Sequence, residues 1–313
     1  MSAFIYSLGL WFYKLLISLV AWVNPKAELF IRGRKNVWQS LEDQVAVNTS
    51  PLLWVHCSSV GEYEQGRPVM EAFKNEFSDF KILVTFYSPS GYEAVSTDAI
   101  VNFKTYLPFD SKTNANRFLD LVKPEIAIFI KYEFWYFFLK ELYRRDLPVY
   151  SVSSIFRPSQ LFFKFYGGFY RNILKNISYF FVQDKNSSDL LNSLNLPNLV
   201  SGDTRIDRVL DIRNNNKSLP VIEMFVGDEV VMVIGSMRKE DLDIVIQFVI
   251  QHRDLKFIIA PHEIIDSMIM PLEERLNSTV RYSEFKNTDL AQQVLIIDNI
   301  GMLSTLYRYA HYT

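Results

Sequence analysis

A short polar turn between a strand-like run and a helix-like run carries the side chains best suited to chemistry. The run Leu52–Cys57 is largely apolar and predicts a strand. The turn after it contains four residues of interest, Ser58, Ser59, Gly61 and Glu62. Amides at a helix start bind anions, glycine lets a ligand approach the backbone, and a carboxylate there is suited to act as a general base. The alternative is a tight strand–helix turn with a solvated glutamate.

Charged side chains follow two later strand-like runs. Lys131 and Glu133 come directly after Glu125–Ile130, and Arg157 comes shortly after Val149–Ser153. Ligands of parallel α/β proteins bind at the carboxyl ends of strands. A lysine or arginine there suits a carboxylate or phosphate, and a glutamate suits a sugar hydroxyl or a cationic side chain. The alternatives are a surface pair between Glu133 and Lys131 and an ordinary salt bridge for Arg157.

Two strand ends in the last third of the chain are candidates for a phosphate site. Gly235 and Ser236 end one strand-like run, and Arg238 lies just beyond them. His262 ends the next run. Because backbone amides at such positions bind nucleotide phosphates, we predict phosphate contacts from Gly235, Ser236 and His262. The alternative for His262 is a structural role at a strand end.

Composition limits the classes of function. The chain has 313 residues, of which 49% are hydrophobic and 22% are charged, and this length suits about two folded domains. The net charge of −2 argues against a nucleic-acid partner. Cys57 is the only cysteine, which excludes an internal disulfide and suggests a reducing compartment. Histidines are few and no HExxH or CxxC pattern occurs, so we expect no metal site and no cofactor.

The amino-terminal run Ala3–Val23 is almost entirely apolar, with Lys14 as its only charge. About 20 apolar residues are enough for a helix to span a bilayer, and a basic flank would keep the remaining chain in the cytoplasm. A spanning anchor, an interfacial helix and a buried core helix remain open. A signal peptide is disfavoured because no early basic region or small-residue cleavage site is present. The basic flank consists of Lys26, Arg32, Arg34 and Lys35.

The rest of the chain alternates strand-like and helix-like runs, which predicts parallel sheets with helices on both faces. The polar run Arg213–Ser218 is the best linker candidate. We expect a segment 1–35, a domain 36–212 and a domain 213–313; the last contains about three strands without a closing strand, so we expect truncation there. The strand-like runs are Leu52–Cys57, Lys81–Tyr87, Thr105–Phe109, Glu125–Ile130, Val149–Ser153, Tyr179–Gln183, Leu199–Ser201, Val230–Gly235, Lys256–Ala260 and Val294–Ile297.

Taken together, these runs resemble the Kdo transferases, which are the 3-deoxy-D-manno-octulosonic acid transferases of lipopolysaccharide synthesis. Within that family they resemble the Bacteroidetes-type sequences. The matching stretches occur in the same order over nearly the whole chain. They are HCSSVGEYEQGRPV at His56–Val69, LVTFYSPSGYE at Leu83–Glu93, LPFD at Leu107–Asp110, FLDLVKPEIAIFIKYEFWY at Phe118–Tyr136, SSIFRPSQ at Ser153–Gln160, FVQD at Phe181–Asp184, GDTRIDRV at Gly202–Val209 and IIAPHEI at Ile258–Ile264.

The resemblance implies a GT-B fold, with two Rossmann-like doubly wound domains, the acceptor side first and the nucleotide (donor) side second. It implies an inverting transfer of Kdo from CMP-Kdo to a lipid A precursor such as lipid IVA, without a metal ion, at the cytoplasmic face of the inner membrane. The apolar amino terminus matches the family's membrane-associated region. Glu62 matches the catalytic base, and Glu133 matches the glutamate of the ELW-type motif. Asp203, Arg205 and Asp207 match a motif at the cleft, or alternatively brace a hinge.

Two departures from the family pattern weaken the donor side. Met237 stands where the family often has the threonine of a Gly–Ser–Thr run, and Pro261 stands where many members have an arginine before the histidine. Arg238 is a candidate substitute. The family's Gly-rich and His–Asn segment would follow Thr313, so we expect this fragment alone to be inactive. Two alternatives stay open: another GT-B nucleotide-sugar transferase acting on a lipid acceptor, and a non-catalytic membrane-associated fragment. A Rossmann dehydrogenase is disfavoured because no GxGxxG follows a strand.

Overall fold

The computed structural model describes residues 2–46, 48–214, 218–299 and 301–313. These residues form two compact units, which divide between Arg208 and Val209. The predicted linker is wrong in part, because Arg213 and Asn214 belong to a helix. Its residues 215–217 lie outside the described part of the chain. The predicted domain limits stay predictions.

The first unit contains a seven-stranded sheet in which neighbouring strands are parallel. The predicted strands are confirmed with ends that shift by at most one residue, except that the third strand both begins and ends earlier along the chain than predicted. The strands are β1 (Leu52–Cys57), β2 (Lys81–Phe86), β3 (Phe103–Tyr106), β4 (Ile126–Ile130), β5 (Val149–Ser154), β6 (Tyr179–Val182) and β7 (Asn198–Val200). They lie in the order β3-β2-β1-β4-β5-β6-β7.

Helices cover both faces of this sheet and complete two hydrophobic clusters. Phe118 and Leu139 belong to the cluster on one face, and Tyr63 and Met70 belong to the cluster on the other. A short 3-10 turn at Leu161–Phe163 adds Phe162 and Phe163 to the cluster that contains Phe118. The helices, some of which the sequence did not predict, are α1 (Ser2–Val20), α2 (Pro25–Arg32), α3 (Val37–Val45), α4 (Val60–Glu76), α5 (Pro89–Ala94), α6 (Lys112–Val122), α7 (Tyr136–Arg144), α8 (Gly168–Leu174), α9 (Lys185–Asn192) and α10 (Thr204–Asn214).

Strand β1 is the central element of the sheet. Trp54 packs into the cluster that contains Phe118, whereas Leu53 and Val55 pack into the cluster that contains Tyr63. Every residue of β1 is buried. A strand covered on both faces needs apolar side chains in both directions, which explains the continuous apolar run in the sequence.

The strand order reverses beside β1. Strands β2 and β3 lie on one side of it, and β4 to β7 lie on the other. Helix α4 follows β1 onto one face, and α7 follows β4 onto the opposite face. Ligands of open α/β sheets bind in the crevice that such diverging connections leave at the carboxyl ends of the strands. The fold therefore places the turn at 58–59, the start of α4 and the turn at 131–135 at its switch point.

The second unit contains a smaller parallel sheet of four strands rather than the three predicted. The additional strand has only three residues, too few for a periodic pattern. The residues after the last helix run beside the strand Val231–Met237, where Val233 N donates to Tyr312 O at 2.9 Å. The elements are α11 (Pro220–Val226), β8 (Val231–Met237), α12 (Leu242–Gln251), β9 (Lys256–Pro261), α13 (Asp266–Arg275), β10 (Thr279–Arg281), β11 (Val294–Ile296) and α14 (Leu303–Leu306), with the sheet order β10-β11-β9-β8.

Helix α1 lies against the first unit along one side. The Tyr6 hydroxyl donates to Asp110 Oδ2 at 2.7 Å, and Lys14 Nζ lies 5.3 Å from the centre of the Phe109 ring. The run Ala3–Val20 is long and apolar enough to cross a membrane, and none of its residues is buried. The buried core helix is therefore wrong for α1. Large apolar side chains remain exposed on it, among them Ile5, Leu8, Phe12, Leu16 and Leu19.

One member of the predicted basic flank is not at the surface. Arg34 is buried and donates to the carbonyl oxygens of Phe30, Tyr87 and Leu107. Its guanidinium lies 3.8 Å from the centre of the Phe30 ring, and burial lowers its pKa to about 10. The expectation that Arg34 belongs to a solvent-exposed basic flank is wrong, because the aromatic side chains around it form a cation–π cage.

Two glycines beside the β1–α4 turn should respond differently to a methyl group. A Cβ on Gly91 would lie 2.3 Å from Phe86 Cδ1, whereas a Cβ on Gly61 would lie 3.7 Å from Ser59 Oγ. We expect Gly91→Ala to lower the free energy of unfolding by about 1–3 kcal/mol, as overpacking does. Gly61→Ala should change it by less than about 1 kcal/mol. Urea unfolding followed by circular dichroism measures both, and equal midpoints would contradict this packing.

Candidate active site

Glu62 lies in the first turn of α4, directly after the turn that leaves β1. Its Oε2 accepts a hydrogen bond from Ser59 N at 2.9 Å and also contacts the Ser59 hydroxyl. This is the backward reach of a capping box, in which the glutamate satisfies an amide that the helix leaves free. The carboxylate is thereby held at the positive end of the helix.

Lys131 brings a cation to the other oxygen of Glu62. It follows β4, and its Nζ lies 3.4 Å from Glu62 Oε1. The side chains are 21% and 16% exposed, so water still reaches the pair. The strand order explains the contact, since β1 and β4 are neighbours and their carboxyl ends meet at one edge. Lys131 therefore pairs with Glu62, and the predicted surface pair with Glu133 is wrong.

The surroundings of Glu62 act on its pKa in opposite directions. Burial raises the pKa of the carboxyl, but the hydrogen bond from Ser59 and the charge of Lys131 outweigh burial. The pKa of Glu62 is therefore lowered from its ordinary value. The net direction is downward because an opposite charge and hydrogen bonds to the ionised carboxylate stabilise that form. Glu62 is ionised at neutral pH, which is the form a general base needs.

Glu133 lies beside a buried histidine that the sequence analysis did not select. Trp135 Nε1 donates to His56 Nε2 at 3.0 Å, and His56 Nδ1 lies 3.1 Å from the carbonyl oxygen of Thr85. Because Nε2 accepts, the proton must be on Nδ1, which makes the imidazole neutral. Glu133 Oε2 lies 3.8 Å from Nε2 and forms no ion pair with a neutral ring. The only sequence signal for His56 was a polar residue inside an otherwise apolar strand.

The remaining first-unit candidates do not join this pair. Ser58 contributes its carbonyl oxygen, which accepts from Ser88 N at 2.7 Å. Gly61 is exposed, and a Cβ there would make only an ordinary contact with Ser59 Oγ, at 3.7 Å. Arg157 is exposed, and its amide donates to Gln160 Oε1 at 3.0 Å. Within the described residues, no group of three or more His, Cys, Asp or Glu side chains is arranged to hold a metal ion.

A polar network joins α4 to the start of α10. Asp203 accepts from Arg205 Nε at 2.8 Å and from Gln65 Nε2 at 2.9 Å. Burial opposes ionisation of Asp203, but these hydrogen bonds lower its pKa to about 2. A second pair links Arg208 Nε to Glu64 Oε2 at 2.8 Å. These contacts brace two elements of the first unit, and Asp207, predicted beside them, is exposed.

The donor-side candidates occupy two separate places in the second unit. Arg238 and His262 line one cavity of about 330 Å³. Gly235 lines another, and a Cβ there would lie 2.1 Å from the Tyr307 hydroxyl, so close packing requires glycine. Ser236 is exposed in a bulge of β8 with a φ of 55°. The structure thus brings Arg238 and His262 together in one cavity. Among the described residues that line this cavity, Gly235 and Ser236 are not found.

Comparison with known proteins agrees with this architecture. The sequence profile described as 3-deoxy-D-manno-octulosonic-acid transferase (kdotransferase) matches residues 32–208, more than half of the chain. The chain belongs to the Kdo transferase family. The matched region contains both Glu62 and Lys131. The predicted Bacteroidetes type stays a prediction.

Curated relatives extend the similarity beyond the first unit. A 3-deoxy-D-manno-octulosonic acid transferase of Rickettsia felis is 23% identical, over 83% of this chain and 57% of the relative. One of Chlamydia muridarum is 24% identical, over 88% and 67%. A bifunctional glycosyltransferase/methyltransferase of Fusobacterium nucleatum is 23% identical, over 91% and 46%. The chain thus spans about half to two thirds of the length of these relatives.

Solved structures support the fold assignment. UDP-GlcNAc 2-epimerase from Neisseria meningitidis, bound to UDP-GlcNAc, matches with a TM-score of 0.58 and 15% identity, over 83% of this chain and 76% of that chain. The enzyme from Methanocaldococcus jannaschii matches with a TM-score of 0.54 and 16% identity, over 83% and 77%. At these identities the likeness concerns the fold alone. The predicted GT-B class with Rossmann-like domains is confirmed.

Removing the lysine charge should raise the pKa of Glu62. In Lys131→Met, the carboxylate loses its cationic neighbour while burial remains, so its titration should move to higher pH. Carbon-13 NMR of labelled glutamate carboxyls measures this, with the Glu62 signal assigned from its loss in Glu62→Gln. Lys140→Met, which removes an exposed lysine from α7, is the control and should leave the signal unchanged. An unchanged titration in Lys131→Met would contradict the pairing.

Proposed function

We propose that this chain carries the base of an inverting glycosyltransferase, which transfers Kdo from CMP-Kdo to a lipid A precursor such as lipid IVA. The observation that supports it best is one ionised carboxylate, Glu62, held by Ser59 and Lys131 at the switch point of a Kdo transferase fold. Because the chain spans only part of its relatives' length, the complete reaction belongs to this proposal.

In the proposed reaction, Glu62 accepts the proton of the acceptor hydroxyl while that oxygen attacks the anomeric carbon of Kdo. The bond between this carbon and the phosphate oxygen of CMP breaks, and CMP leaves with the bonding electron pair. Attack from the face opposite CMP inverts the anomeric configuration. Lys131 keeps Glu62 ionised before the transfer, and the carboxylate retains lone pairs beyond those used by Ser59 and Lys131.

The nucleotide side of the proposal concerns the cavity of Arg238 and His262. Guanidinium and imidazole groups suit the phosphate of CMP-Kdo. Lys239 adds a further positive charge to the lining, and Glu240 and Glu263 add negative charges. This balance favours a ligand with a single phosphate over a more highly charged one.

The proposed location is the cytoplasmic face of the inner membrane, with α1 lying along the membrane surface. Tyr6 ties one side of α1 to Asp110, while the other side exposes apolar residues. Lys26, Arg32 and Lys35 are exposed after the helix and suit anionic headgroups. A helix held on the first unit by one side favours an interfacial position over a spanning one. This position would bring a lipid acceptor close to the domain that carries Glu62.

Glu62→Gln should abolish Kdo transfer, with a loss of at least about 100-fold, because the amide cannot take the acceptor proton. The assay uses the full-length gene product, supplies CMP-Kdo and lipid IVA, and detects the Kdo-bearing lipid by mass spectrometry. Glu64→Gln is the matched control, since it changes a carboxylate two positions away that pairs with Arg208. Should Glu62→Gln retain the activity of the unmodified gene product, the assigned base is wrong.

A donor panel, applied to the same full-length gene product, tests the alternative reaction. Transfer from a UDP-sugar in preference to CMP-Kdo would favour another nucleotide-sugar transferase. Absence of transfer from every donor, together with no binding of CMP, would favour a non-catalytic membrane-associated fragment. Preference for CMP-Kdo supports the proposal.

Charges on the exposed side of α1 should weaken membrane binding. Leu8 and Leu16 are 42% and 60% exposed, and we expect Leu8→Glu/Leu16→Glu to reduce flotation with phosphatidylglycerol vesicles at least about tenfold. Ile244→Glu changes a 70% exposed residue of the second unit and is the matched control. Equal flotation of both variants and the unmodified chain would contradict the interfacial position of α1.

A further inference from the structure

The carbonyl oxygen of Lys131 accepts from two buried serine hydroxyls. Ser151 Oγ lies 2.9 Å from it and Ser154 Oγ lies 2.6 Å from it, and the two hydroxyls also contact each other. Both serines are fully buried. Because burying a hydroxyl is unfavourable unless it is hydrogen-bonded, this cluster is a specific feature of the residue that pairs with Glu62.

The two serines reach one acceptor because β5 is irregular. In a regular strand, residues three positions apart point to opposite faces. The pairing of β5 with β6 shifts between Val152 and Ser154, and Ser153 has a φ of 57°. The bulge adds one residue and returns Ser154 to the side of Ser151.

Two glutamines hold the bulge. Gln183 Nε2 donates to the carbonyl oxygen of Ser153 at 3.0 Å and lies 3.1 Å from its hydroxyl. Gln65 Nε2 lies 3.3 Å from the same hydroxyl. Gln65 belongs to α4, three positions after Glu62. The bulge is therefore connected both to the neighbouring strand and to the helix that carries the carboxylate.

The backbone of Lys131 needs this support. Its φ is 63°, in the left-handed region that costs a residue with a side chain about 1–2 kcal/mol. Its amide donates to Val152 O at 2.8 Å, so β5 holds both the amide and the carbonyl of Lys131. This conformation sets the direction in which the lysine side chain leaves the end of β4.

We infer that Ser151 and Ser154 are positioning residues, whose hydroxyls hold the left-handed backbone of Lys131 and so direct its ammonium group to the Glu62 carboxylate. The inference rests on the proposed function, since it concerns the base of that reaction. Each hydroxyl has one proton, so two protons serve three oxygen–oxygen contacts. Either serine alone still supplies a proton to the Lys131 carbonyl, and the two therefore substitute for each other in part.

The test measures the Glu62 carboxyl titration by carbon-13 NMR in the full chain, without substrate. Ser151→Ala and Ser154→Ala should each move it little. The double variant should raise the pKa by at least half of the change seen in Lys131→Met, because Lys131 then loses its support. Ser151→Thr/Ser154→Ala, which keeps one hydroxyl, should restore it. Ser187→Ala is the matched control, since this buried hydroxyl accepts from Phe156 N and does not contact Lys131.

A purely structural role predicts another pattern. The double variant would then lose stability as Ser187→Ala does, with no change in the Glu62 titration, and this result overturns the inference. If the double alanine variant does not fold, Ser151→Cys/Ser154→Ala keeps the volume with a weak donor and should shift the titration in the same direction. The titration of Glu62 is measured without any Kdo transfer. The proposed function can therefore fail in the Glu62→Gln assay while this inference holds, and the inference can fail while the proposed function holds.

Discussion

The position of the Glu62 carboxylate is fixed by two contacts that it makes at the same time. Glu62 closes the amino-terminal turn of α4 through Ser59 N, and it is also the counter-ion of Lys131. The capping contact alone would leave Oε1 of Glu62 without a partner, and a surface ion pair alone would hold the carboxylate only weakly. Together the two contacts fix both carboxylate oxygens, so the group is ionised, oriented and still partly open to water.

The parallel sheet makes this arrangement possible. Strands β1 and β4 are neighbours, and the helices that follow them, α4 and α7, pack on opposite faces of the sheet. The short turns after the two strands therefore lie side by side, and no long loop is needed to bring them together. The left-handed backbone of Lys131 is held by β5, whose bulge brings two buried serine hydroxyls to the Lys131 carbonyl oxygen. Backbone strain of this kind persists only where the surroundings support it. Here the strained residue, Lys131, lies next to Glu62, the proposed general base.

The amino terminus illustrates how packing limits an interpretation based on hydropathy. The apolar run alone was compatible with a spanning, an interfacial or a buried helix. Contacts made by Tyr6 and Lys14 hold one side of α1 on the first unit. The buried alternative is excluded because none of the residues of Ala3–Val20 is buried. Arg34 shows the reverse, since a charge that looked like part of a surface flank is enclosed by aromatic rings and satisfied by carbonyl oxygens.

The order and type of the main elements follow from the amino-acid sequence alone, because buried parallel strands require apolar runs and strand–helix turns require small polar residues. The sequence also indicated Glu62, through its place after β1. Only the tertiary structure could pair Glu62 with Lys131, 69 positions away, and lower the carboxyl pKa where burial alone would raise it. Likewise, the short strand β10, the His56–Trp135 contact and the serines beneath Lys131 depend on neighbours from other elements, which no local pattern encodes.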